Sequence, residues 1–85
     1  MPYIKQEQRP FIDLLARLFI GDGLLTGRLN YFIFKVTKEY IKKAGESYAN
    51  YRDVIGELEC AKLEIERRML SKYEDKKIKQ NGDIE

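Results

Sequence analysis

Apolar residues recur at spacings of three and four from Tyr51 to Tyr73, through Val54, Ile55, Leu58, Ala61, Ile65 and Met69. At roughly 100° per residue these positions form one stripe along an α-helix. Gly56, Cys60, Leu63 and Leu70 make a second, thinner stripe turned more than a quarter-circle from the first. Acidic and basic residues fill the space between, with Glu64 and Arg68 at i,i+4 and Glu59 and Lys62 at i,i+3, both favourable helix pairs. No proline interrupts the run. The pattern predicts a helix over residues 51–77, with Asn50 as its N-cap and Asp53 reaching back toward that cap.

Two shorter helices precede it. Pro10 suits the first turn of a helix over 10–20, whose apolar face is Phe11, Leu14, Leu15, Leu18 and Phe19. Gly21-Asp22-Gly23 ends that helix, glycine being the residue that readily takes the left-handed cap conformation. The same three residues lack the Gly-Lys-Ser/Thr or alternating acidic ligands of a phosphate or calcium loop and read as a turn. A second helix is expected over 27–44, stopping at Gly45, with Leu29, Phe32, Ile33, Val36, Tyr40 and Ile41 on its buried face. Residues 1–9 form an N-terminal arm in which Tyr3 and Ile4 can dock on the body. Residues 78–85 form a charged tail containing the turn signal Asn81-Gly82-Asp83. The fold class is therefore all-α, a single domain of three helices with two shorter ones packed on one long C-terminal helix.

Length turns this pattern into an argument about assembly. A compact domain of 85 residues is about 30 Å across. The third helix alone would be about 40 Å long, so its far end overhangs a monomer. A helix apolar on two stripes also needs two partners. One reading gives both to the preceding helices of the same chain. The other, adopted here as the expectation, is a homodimer in which this helix lies antiparallel to its copy. Gly56, Cys60, Leu63, Met69, Leu70 and Tyr73 are then the interface candidates.

Composition narrows the chemistry. Histidine is absent, which removes the usual general base and zinc ligand together with every Ser-His or Cys-His nucleophile pair. The one cysteine, Cys60, cannot form an internal disulfide, and with no signal peptide this points to a reducing cytoplasm. No apolar run approaches the roughly 20 residues of a membrane span. The net charge of +2 does not by itself argue for nucleic acid. Tyr31, Lys35, Lys38 and Lys42 on the second helix nonetheless interleave an aromatic ring with cations, as surfaces for single-stranded nucleic acid do. Against this, Lys38, Lys42 and Lys43 crowd the last turns of a helix, where cations complement the helix dipole.

An enzyme reading, a magnesium-dependent all-helical nucleotide hydrolase, needs carboxylates facing inward from separate helices. Glu57 and Glu64 share one face of the third helix and Glu59 and Glu66 another, while the second helix offers only Glu39. This fits least of the three. No cofactor or metal is expected.

The segments MPYIKQEQR, GRLNYFIFKVTKEY, YRDVIGELECAKLEIERR and YEDKKIKQNGDI resemble a family of small proteins of bacteria, bacteriophages and prophages. Its features are matched here by Gly27, Leu29, Asn30 and Tyr31, by residues 58–64, by 73–75 with Lys77, and by 81–83. The chain departs from that pattern at Ile65-Glu66, where an aromatic pair is common, and at Lys72, where a proline often stands. The resemblance implies a phage-like setting and no particular activity. The function expected is a non-catalytic protein-interaction or adaptor module acting as a homodimer on a protein partner. The alternative is a nucleic-acid accessory protein using the Lys35, Lys38 and Lys42 face.

Overall fold

The computed structural model describes residues 4–21, 23 and 26–84. Tyr3 and Asp22, assigned above to a docking arm and a turn, lie outside those residues. The elements follow the order of a 3-10 turn (Gln6–Gln8), α1 (Arg9–Ile20), α2 (Arg28–Ala44), α3 (Tyr48–Ile65), a π-helical turn (Glu66–Leu70) and α4 (Ser71–Asn81). Among the described residues there is no strand. The architecture is all-α, three helices with the longest at the C-terminal end. The chain divides into two units, residues 1–43 and 44–85.

In the first unit the described part of the N-terminal arm starts at Ile4 and ends in the 3-10 turn. The 3-10 turn leads directly into α1, and Arg9 donates from Nε and Nη2 to the carbonyl of Ile4 at 3.1 and 3.0 Å. Helix α1 continues through Gly21, which is still right-handed. The left-handed residue is Gly23, at φ +88°, and its amide donates to the Ile20 carbonyl at 2.7 Å. The chain is then tied to α2 by Arg28, whose Nη1 donates to the Gly23 carbonyl at 2.9 Å. The same guanidinium lies 5.0 Å from the ring centroid of Phe19, and Phe19 stacks on Phe32 with centroids 4.1 Å apart. One arginine thus satisfies a loop carbonyl and caps an aromatic pair linking α1 to α2, a cation–π contact of the kind arginine favours.

The second unit begins at the end of α2. Gly45, at φ +102°, is the residue on which the backbone leaves that helix. Helix α3 starts at Tyr48 and not at Tyr51, because the cap is Ser47. Ser47 has extended dihedrals, and its hydroxyl accepts from the Asn50 amide at 3.1 Å. Asn50, the cap assigned from sequence, sits inside the first turn. Its side-chain amide donates instead to the carbonyls of Gly45 at 2.7 Å and Ala44 at 3.4 Å. Ser47→Ala removes a single cap acceptor, worth about 1 kcal/mol. At fixed protein concentration the expected result is a Tm lower by about 4–8 °C.

Helices α3 and α4 belong to one uninterrupted helix. Ile65, Glu66, Leu70 and Ser71 all have φ between −60 and −65° and ψ between −40 and −45°. From Tyr48 to Asn81 this helix is about 50 Å long. It therefore extends past residue 77 and absorbs the first part of the segment read as a tail. It stops at Gly82, at φ +79°, whose amide donates to the Ile78 carbonyl at 2.8 Å.

What was not foreseen is the π-helical turn. The Ser71 amide donates to the Glu66 carbonyl, five residues back, and the Ser71 hydroxyl donates to the same oxygen at 2.8 Å. A hydroxyl entering the hydrogen-bond ladder is a recognised cause of local helix distortion. Just before the turn, Glu64 holds both arginines of the segment, Arg68 in an i,i+4 ion pair and Arg67 at 3.9 Å.

Candidate functional site

The π turn changes which residues share a face. In an i→i+5 turn of ideal geometry each residue advances by roughly 80–85° instead of 100°, so five such residues would fall behind an α-helix by roughly 75–100°. An unbroken α-helix would let Ile65, Met69 and Tyr73, set at steps of four, drift steadily off the stripe of Val54, Leu58 and Ala61. The π turn cancels that drift. Met69, Leu70 and Tyr73 then lie within about 50° of the line through Val54, Leu58 and Ile65.

This divides the interface candidates. Met69, Leu70 and Tyr73 belong to the first stripe, whereas Gly56, Cys60 and Leu63 lie on the opposite side of the helix. The second stripe loses Leu70 and is reduced to two small residues and one leucine. All six residues are exposed.

Along the first stripe Ile65 is 55% exposed, Met69 67%, Leu70 46% and Tyr73 56%, while Val54 and Ala61 are half-buried. Large apolar side chains thus follow one another along this side of the helix, each partly open to solvent. Ile41, in α2, is the one buried hydrophobic residue among those described, and it keeps 9% of its surface exposed. Charged side chains border the stripe, and among them Lys62 pairs with Glu59 at 4.0 Å. No helix among the described residues is long and apolar enough to cross a membrane.

The basic face of α2 is geometrically coherent. Tyr31, Lys35, Lys38 and Lys42 fall within roughly 60° of one another around the helix, with Tyr31 65% exposed and Phe34 beside it. Lys42 also lies 3.9 Å from Glu39, so one of the cations is shared with an acid. A shallow depression of about 330 Å³, lined by Gly27, Asn30, Tyr31 and Phe34, opens at the N-terminal end of this face. Among the described residues no three Cys, Asp or Glu side chains come together as a set that could hold a metal ion.

The Tyr51 hydroxyl donates to Glu46 Oε2 at 2.7 Å. That hydrogen bond first, then loss of hydration and the carboxylate's charge, raise its pKa above the ordinary tyrosine value. A raised pKa in the folded state stabilises the fold below the unfolded value, and the contribution is lost as pH rises through the folded one. Tyrosinate absorbance of the parent minus that of Tyr51→Phe is therefore expected to show a group titrating later than free tyrosine. In urea the same group should return to the ordinary value.

The described residues form helices alone, with one long continuous helix at the C-terminal end, and the molecule is an all-α fold. The chain belongs to the family described as a domain of unknown function (DUF6899), whose model matches residues 1–84. No curated protein and no solved structure matches the chain significantly.

Proposed function

We propose that this protein is a small non-catalytic interaction module that works as a homodimer, with the helix from Tyr48 to Asn81 forming its dimer contact. The observation that carries this reading is the exposed row of Leu58, Ile65, Met69, Leu70 and Tyr73 on one side of that helix. Burial of such a row contributes about 25 cal/mol per Å² of apolar surface removed from water, and small domains commonly gain the stability they lack by oligomerising. Its setting is a bacterial or phage-infected cytoplasm, where an exposed free thiol such as Cys60 stays reduced. The dimer would present its remaining surfaces to a protein partner. Light scattering at micromolar concentration tests the assembly. A mass of twice 10.1 kDa is expected, and a mass of 10.1 kDa would refute it.

The alignment of Tyr31, Lys35, Lys38 and Lys42 on one face favours a second reading, binding of single-stranded nucleic acid. Rings would stack on bases while the ammonium groups meet phosphates. Affinity for a labelled oligonucleotide would then fall steeply with salt, and Lys35→Ala with Lys38→Ala would flatten that slope. Binding that is absent at low salt removes this reading.

A further inference from the structure

The proposed dimer leaves open how the two long helices meet, and the re-registered stripe supplies an answer that rests on that reading. Distances along the helix axis from Ala61 follow from about 1.5 Å per residue, slightly less in the π turn. Leu58 lies about 4.5 Å to one side and Ile65 about 6 Å to the other. Val54 and Leu70 lie at about 10 and 12 Å, and Tyr51 and Tyr73 at about 15 and 16 Å. Met69, at about 11 Å, lies beside Leu70 without a counterpart of its own, and the rest of the stripe is close to a palindrome in position, with its smallest member in the middle. A two-fold axis perpendicular to the helix beside Ala61 therefore sets Leu58 against Ile65, Val54 against Leu70 and Tyr51 against Tyr73 of a second copy. An alanine at the crossing point lets the two backbones approach, and self-complementarity of this kind is what a two-fold interface requires.

Charge agrees with the same placement. In α3 the acids Asp53, Glu57, Glu59 and Glu64 outnumber the cations, whereas beyond Ile65 cations outnumber acids. An antiparallel arrangement lays the acidic half on the basic half, and a parallel one opposes like with like. The π turn also sharpens the match. Asp53 and Glu57 lie at i,i+4 on one flank of the stripe, and the turn brings Arg68 and Lys72 to that same flank. In an antiparallel two-fold pair like flanks meet, so Asp53 faces Lys72 and Glu57 faces Arg68 of the other copy. Among the described residues Asp53, Glu57 and Lys72 make no ion pair within the chain, whereas Arg68 is paired through Nε with Glu64 and has its terminal nitrogens left for Glu57 of the other copy.

From these observations we infer that the occupant of the stripe is a second copy of this chain, held antiparallel about Ala61 with Asp53–Lys72 and Glu57–Arg68 contacts along one flank. The π turn is the device that sets this register. Charge reversal tests it on surface positions that leave the apolar row untouched. Asp53→Lys with Glu57→Lys places like charges opposite each other at four symmetry-related contacts. The dimer dissociation constant, measured by sedimentation at low salt, is expected to rise at least about tenfold. Adding Arg68→Glu and Lys72→Glu is expected to bring it back to within about threefold of the parent. Helix content by circular dichroism accompanies each variant. No weakening in the first variant, or weakening that the second pair of substitutions fails to reverse, overturns the antiparallel register while leaving the dimer standing. A parent chain that sediments as a monomer overturns the dimer itself.

Discussion

Leu58→Asp is expected to turn the dimer into a monomer. Leu58 is 42% exposed in the isolated chain, so covering it removes less than half of a leucine's surface from water. That is worth about 1 kcal/mol per copy, and the two-fold axis presents each substitution twice. The introduced carboxylate adds the cost of placing a charge in a drying contact, at least about 1 kcal/mol more per copy. Together these amount to about 4 kcal/mol, and the dimer dissociation constant should rise by more than roughly a hundredfold. The loss in helix propensity at one exposed position is about 0.5 kcal/mol, too little to unfold the helix. Cys60→Asp is the control, because Cys60 lies on the far side of the same helix. Sedimentation showing the Cys60 variant monomeric and the Leu58 variant dimeric would place the contact on the opposite face.

The existence and type of the helices were legible in the residues because amphipathic spacing was strong in each. The three-and-four rhythm of Tyr51 to Tyr73 carries the long helix, and Leu29 to Ile41 carries α2. The ends were less legible. The apolar rhythm starts only at Tyr51, and Asn50, directly before it, drew the cap assignment. The Ser47 hydroxyl wins because Asn50 is engaged with the end of α2. At the other end the density of lysines from Lys76 to Lys79 suggested a tail, whereas the stop signal was Gly82. The π turn has no single-residue signature. Its trace in the sequence is the run of steps of four at Ile65, Met69 and Tyr73, which cannot stay on one α-helical face. That run assigned Leu70 to a second stripe. A reading that assumes 100° per residue throughout cannot recover a face that depends on one slower turn. The interface candidates accordingly set Met69, Leu70 and Tyr73 beside Gly56, Cys60 and Leu63, which the helix carries elsewhere.

The register imposed by the π turn leads to an asymmetric outcome for single-residue length changes, the second large effect expected. A π turn takes five residues through about the rotation that four give in an α-helix, so it behaves as an α-helix holding one residue too many. Deleting Arg67 supplies the four-residue turn and leaves Met69, Leu70 and Tyr73 aligned with Leu58 and Ile65. The deletion variant is expected to remain dimeric with a Tm no lower than the parent, losing only the exposed Arg67–Glu64 pair, which is worth little. Inserting one alanine after Arg67 has the opposite effect. The helix can continue, but everything beyond turns by roughly 100°, and Leu70 and Tyr73 leave the stripe while charged side chains enter it. With half the apolar row gone, association should weaken by more than roughly a hundredfold while helicity persists. An unbroken α-helix would instead lose its alignment on the deletion. A deletion variant that is helical and monomeric would therefore show that residues 66–70 do not set the register of the contact.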